Sequence, residues 1–69
     1  METIRIVVNG EERTVPAGLP LVDLIRWLNL EPSRVAVELN REIVRREAWT
    51  KTMVAGGARL EIVQFVGGG

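Results

Sequence analysis

The chain has 69 residues, nine basic and nine acidic side chains, and neither cysteine nor histidine. That excludes disulfide staples, thiolate metal sites and the usual general base near neutral pH, and its zero net charge lacks the positive field of a nucleic-acid binder. Its one serine, Ser33, stands beside Pro32 without an activating partner, so an independent enzyme is not expected.

At this length one small domain is expected. No apolar run approaches the ~20 residues of a membrane span, and "METIRIVVNGEE" reads as a strand with early acids rather than a signal peptide. A cytoplasmic location is the default expectation. The arginines at 41, 45 and 46 alternate with Glu42 and Glu47, the pattern of a solvated charged surface.

Alternation places Ile4, Ile6 and Val8 on one side of a first strand and Thr3, Arg5 and Val7 on the other. Asn9-Gly10 follows, a pair that tolerates the positive φ angles of a type I′ hairpin. A second strand through Arg13-Thr14-Val15 is expected to end at Pro16-Ala17-Gly18. Leu21, Leu24, Ile25 and Leu28 then form an i, i+3, i+4, i+7 stripe, predicting a helix of about ten residues that starts at Pro20 and closes between Asn29 and Pro32. Trp27, off the centre of that stripe, is expected to cap the edge of the core.

"RVAVELN" alternates again, with Val35, Val37 and Leu39 inward and Ala36 and Glu38 outward, and "REIVR" supplies a short strand after a turn at Asn40 and Arg41. "EAWTKTMVAGG" has no clean period and reads as a loop with one helical turn at Glu47 to Trp49 and a Gly56-Gly57 turn. In the final strand, "ARLEIVQF", Leu60 and Ile62 face the helix while Arg59, Glu61, Val63 and Phe65 face away. One amphipathic helix with one-sided strands predicts an α+β domain, residues 1–65, with a mixed sheet of four to five strands and the helix on one face. The hydrophobic first and last strands are expected to be parallel central neighbours.

The face opposite the helix would then expose Val7, Val63 and Phe65 among Arg5, Glu38, Arg59 and Glu61, the composition of a docking surface. Immediately downstream, "VGGG" is expected to form a flexible tail over residues 66–69 whose end carries the chemistry. A carboxylate is a poor electrophile, so such a tail makes sense with a partner that uses ATP to convert it to an acyl adenylate. The glycines lack the helix-initiating phosphate loop and its following lysine, so the chain is not expected to bind the nucleotide itself. Ordering four tail residues would cost on the order of 4–8 kcal/mol, and glycines have no side chains with which to offset it. The globular domain must therefore hold the partner.

"VNGEE", "VAVELNREIVRREAW" and "LEIVQFVGGG", in this order and at this length, resemble the ThiS family of sulfur carriers in thiamin biosynthesis, whose fold is the ubiquitin-like β-grasp. The resemblance implies that Gly69 is adenylated by a ThiF-type enzyme with ATP and Mg, then converted to a thiocarboxylate with sulfur from a cysteine-derived persulfide. Thiazole synthase, ThiG, would receive the sulfur. Gly68 pairs with Gly69 at the reacting end, and Phe65, Val66 and Gly67 correspond to the tail that partners enclose. It also implies a carrier rather than a catalyst, with no metal or cofactor bound by the chain. Alternatives sharing this ending are a MoaD-like carrier for molybdopterin synthesis and a ubiquitin-related protein modifier. The chain departs from the resemblance at Gly56-Gly57, where such carriers often have Gly-Asp.

Overall fold

A computed structural model describes residues 2–65. Five strands form one sheet in the order β2-β1-β5-β3-β4, with β1 at Thr3–Val8, β2 at Glu11–Pro16, β3 at Val35–Leu39, β4 at Glu42–Ile43 and β5 at Arg59–Gln64. The β1–β5 pairing is parallel and the other three are antiparallel, so the expected mixed sheet forms around β5. Helix α1, Leu21–Trp27, contributes Leu21, Leu24 and Ile25 to one core cluster with Ile6, Val8, Val15, Val35, Val37, Leu60 and Ile62. Apart from Val15, for which no side was assigned, every one of these strand residues lies on the side that alternation assigned to the interior.

At the first hairpin Val8 pairs with Glu11, leaving a two-residue loop in which Asn9 and Gly10 have φ of 50° and 85°. These are the left-handed values of the type I′ turn that suits strand twist. The helix is shorter than the stripe suggested, seven residues rather than about ten, because its end is fixed by backbone chemistry. Asn29 adopts φ 69°, its N–H donates to the Arg26 carbonyl, and the Leu30 N–H reaches back to the Ile25 carbonyl. That pair of bonds is a Schellman closure with asparagine in the left-handed position, and Leu30 packs on the core behind it. At the other end Pro20 precedes the helix as its N-cap without a side-chain bond. The loop takes over that role: the Leu21 and Val22 N–H groups donate to the carbonyls of Thr52 and Trp49.

Three residues depart from expectation. Trp49, read as part of a loop, is a core residue at 3% exposure, and its Nε1–H donates to the Val44 carbonyl at 2.9 Å. The helical turn beside it is a 3-10 turn over Arg46–Ala48. Arg46 is more than a solvated charge: its guanidinium lies 5.1 Å from the Trp49 ring centroid and donates to the carbonyls of Pro32, Ser33 and Val35. Trp27, expected to cap the core edge, is 48% exposed.

At the Gly56-Gly57 turn, the Ala58 N–H donates to the Ala55 carbonyl and Gly57 takes φ 86°, the conformation of the third residue of a type II turn. Glycine at 57 therefore suits the backbone where a side chain would be strained, and the Gly57 N–H donates to the Arg5 carbonyl to start the β1–β5 ladder.

Two asparagines secure β5 from opposite sides. On the β1 side, the Asn9 N–H donates to the Leu60 carbonyl, while the side-chain amide accepts from the Ile62 N–H at 2.7 Å and donates to the Ile62 carbonyl at 3.1 Å. On the β3 side, Asn40, at φ 52°, donates its N–H to the Arg59 carbonyl and accepts from the Arg59 N–H through Oδ1. The Asn9 side chain by itself makes the pair of bonds that one further strand residue would make, and at Asn40 the backbone N–H and the side-chain oxygen make that pair together. Replacing Asn9→Gly keeps the turn conformation but removes both amide bonds to Ile62, so stability is expected to fall by about 1–3 kcal/mol. Urea unfolding followed by circular dichroism checks this; a midpoint equal to wild type would show that the amide contributes nothing.

Candidate functional site

The open face of the sheet is built by residues alternating with the core. On β5 these are Arg59, Glu61, Val63 and Phe65; β3 adds Ala36 and Glu38, and β1 adds Arg5 and Val7. The registers bring Val63 beside Ala36, Glu61 beside Glu38, Glu38 beside Ile43, and Val7 beside Arg59 and Glu12. Val63 is 60% exposed, Phe65 53% and Ile43 77%.

The predicted docking residues consequently divide into two groups. Val7 is half-buried at the level of Arg59, four residues and about 13 Å along the strand from Val63. Arg5 is paired with Glu12 across the β1–β2 hairpin. Val7 thus belongs to a charged end with Arg5, Glu12 and Arg59. Val63 belongs to an apolar end with Ala36 and Ile43, where a shallow depression is also lined by Glu38 and Glu61.

Glu61 and Glu38 stand between these ends as a directly opposed pair of like charges, which costs stability on a sheet unless a cation is nearby. Arg41 and Arg59 line the adjoining hollow with them and supply that charge. Ile43 was not anticipated as part of this face. Two strand residues are too few to show a period, although Glu38, its register partner, had already been assigned outward.

Phe65 is the last described residue. Its N–H donates to the Arg34 carbonyl at 2.8 Å, so the β3–β5 ladder runs one residue beyond the end of β5. Val66, Gly67, Gly68 and Gly69, the predicted tail and reacting end, lie outside the described residues. Among the described residues, no group of three or more acidic side chains is placed to hold a metal ion, and no helix is long and apolar enough to cross a membrane.

A five-stranded mixed sheet with parallel β1 and β5 at its centre and one helix across one face is a ubiquitin-like β-grasp domain. The ThiS family model matches residues 3–69. The chain belongs to the ThiS family of sulfur carriers.

The crystal structure of the thiamine biosynthesis protein ThiS from Geobacter metallireducens superimposes with a TM-score of 0.81 at 36% identity, covering 96% of this chain and all of that one. The sulfur carrier protein ThiS of Escherichia coli (strain K12) is 27% identical over 66 residues, 96% of this chain and 100% of the relative. The thiazole synthase of Paramagnetospirillum magneticum is 41% identical over 66 residues, 96% of this chain and 20% of that protein. The chain spans about a fifth of the length of this thiazole synthase and of a second one from Magnetococcus marinus.

Proposed function

We propose that this protein is the cytoplasmic sulfur carrier for thiazole formation in thiamin biosynthesis, and that Gly69 is the residue that carries the sulfur. The observation that carries the reading is the family match, which runs through Gly69. In this function a ThiF-type enzyme uses ATP and Mg to join AMP to the Gly69 carboxylate, releasing pyrophosphate. The outer sulfur of a cysteine-derived persulfide then attacks the adenylate carbonyl and AMP leaves, giving an acyl disulfide. A second thiol, from the enzymes or a reductant, attacks the inner sulfur, forms a disulfide with it and releases the terminal thiocarboxylate. The protein acts as a co-substrate and catalyses none of these steps, consistent with a composition that offers no histidine or cysteine.

ThiG is the proposed recipient. Thiazole synthases from two organisms contain a segment similar to this chain, which supports a working relation between the carrier domain and that enzyme. Val66, Gly67 and Gly68 would enter the partner's site, where the absence of Cβ atoms on the glycines lets a narrow channel close around the backbone.

The test is incubation with the ThiF-type enzyme of the same genome, ATP, Mg, a persulfide donor and a thiol reductant, followed by intact mass measurement. Exchange of one oxygen for sulfur at the C-terminus is the expected result; an unchanged mass with active enzyme would overturn the proposal.

The open face is proposed to hold the partner while the tail reacts. Phe65→Asp places a charge at the exposed end of the sheet without touching the core, and is expected to weaken binding to the activating enzyme by at least about 2 kcal/mol. Titration calorimetry reads this directly. An unchanged affinity would remove the apolar end of the face from the interface.

A further inference from the structure

The alternation of backbone hydrogen bonds along β5 leaves one place where its ladder is open. Antiparallel strands bond through every second residue. Because the Phe65 N–H donates to the Arg34 carbonyl, the odd-numbered residues of β5 direct their backbone groups toward β3; Arg59, bonded to Asn40, has the same parity. The even-numbered residues direct theirs toward β1. Ala58 and Leu60 accept there from Val7 and Asn9, and both backbone groups of Ile62 are taken by the Asn9 side chain. Gln64 comes next on that side. By then β1 has turned away at Asn9-Gly10, and among the described residues the N–H and C=O of Gln64 have no partner.

Asn9 therefore ends the pairing one step short of the end of β5. The open position lies beside the exposed side chains of Val63 and Phe65 and leads directly into Val66-Gly67-Gly68-Gly69. Three of those four residues have no side chain through which a partner can hold them. Apart from the Gly69 carboxylate, their specific groups are backbone N–H and C=O, the groups that strand addition recognises.

We propose that the ThiF-type enzyme binds this edge by adding an extended segment beside Gln64, in the line vacated by β1. This rests on the function proposed above and specifies how the carrier is recognised. The recognition at Gln64 is then made by backbone pairing rather than by a side-chain pocket.

Gln64→Pro separates this mechanism from contact with the side chain. Proline removes the N–H directed at the open edge and leaves intact the bonds of Val63 and Phe65 to β3, and edge positions of this kind tolerate it. Affinity of the full chain for the activating enzyme is expected to fall about tenfold in Gln64→Pro, while Gln64→Ala stays within about twofold of wild type. Hydrogen exchange of the wild-type chain supplies a readout that does not depend on either variant folding. The Gln64 amide should exchange quickly in the free protein, faster than those of Ile62 and Phe65, and become protected in the complex.

Wild-type affinity in a folded Gln64→Pro variant, an unprotected Gln64 amide in the complex, or protection that rises with carrier concentration alone would each overturn the proposal; the last would make the occupant a second copy of this chain. If the wild-type chain acquires sulfur while Gln64→Pro binds normally, only the strand addition fails. If the wild-type chain neither binds nor is modified, the proposed function fails with it.

Discussion

A chain lacking Gly68 and Gly69 is expected to unfold at the same temperature as the full-length protein and to acquire no sulfur at all. The two halves of this result have different physical origins. Stability comes from the core cluster, whose last member is Ile62, and from a ladder whose last described bond is made by Phe65. Both end before the deletion. Reactivity, under the proposed function, comes from a carboxylate presented on a glycine, and truncation moves that carboxylate two residues closer to the sheet, or at most about 7 Å of extended chain.

The new end would again be a glycine, Gly67, so the loss would be one of reach and not of chemical type. Appending two alanines to the truncated chain separates the alternatives. Restored length without restored sulfur transfer would assign the requirement to the missing Cβ atoms; recovery would assign it to reach alone. Calorimetric melting and intact mass after incubation with the activating enzyme measure the two halves. A truncated chain that still formed a thiocarboxylate would show that Gly69 is not the required residue.

How far the sequence disclosed this architecture depended on whether the determining interaction was periodic. Ile6 and Val8, Val35 and Val37, and Leu60 and Ile62 alternate with neighbours that are polar, exposed or, at Val7, half-buried, and all six are buried as that alternation requires. The Asn9-Gly10 turn was legible because few residue pairs accept two left-handed conformations. The chain contacts that close the helix and grip β5 were not legible. Nothing local distinguishes an asparagine that only turns from one whose amide also reaches Ile62, 53 positions away. Arg46 likewise sits in a charged run whose appearance is that of a solvated surface, and only the fold brings the carbonyls of Pro32, Ser33 and Val35 beneath its guanidinium.

The open face shows the same division. Alternation gave the direction of Val63 and Phe65, but their neighbours follow from strand order and register. A central β5 puts Ala36 beside Val63, and the β3–β4 register puts Ile43 beside Glu38, collecting these apolar side chains around one depression toward the C-terminal end of β5. Val7 is directed to the correct face yet remains at the opposite end, since β1 stops pairing with β5 after Leu60 except through Asn9. A patch argument based on face alone therefore groups residues that the parallel register separates.

Trp49→Ala is expected to cost about 3–5 kcal/mol, the usual penalty for deleting a buried aromatic side chain. For a domain of this size that is a large part of a total stability of about 5–15 kcal/mol. The position is costly because three interactions converge on it. The indole is 3% exposed within the core cluster; its N–H holds the Val44 carbonyl after β4; and its ring lies against the Arg46 guanidinium. Arg46 in turn binds the carbonyls of Pro32, Ser33 and Val35, the segment leading into β3. The Trp49 carbonyl also receives the Val22 N–H, tying the same loop to the start of α1.

A single loop residue thus joins the helix start, the end of β4 and the entry to β3. Trp49→Phe tests this division of roles: it keeps a ring for packing and for Arg46 but removes the Nε1–H bond and leaves the Val44 carbonyl without that donor. Its expected cost is smaller, about 1–3 kcal/mol. If Trp49→Phe were as destabilising as Trp49→Ala, the hydrogen bond would outweigh the packing. If both variants unfolded at the wild-type denaturant midpoint, Trp49 would not be part of the core.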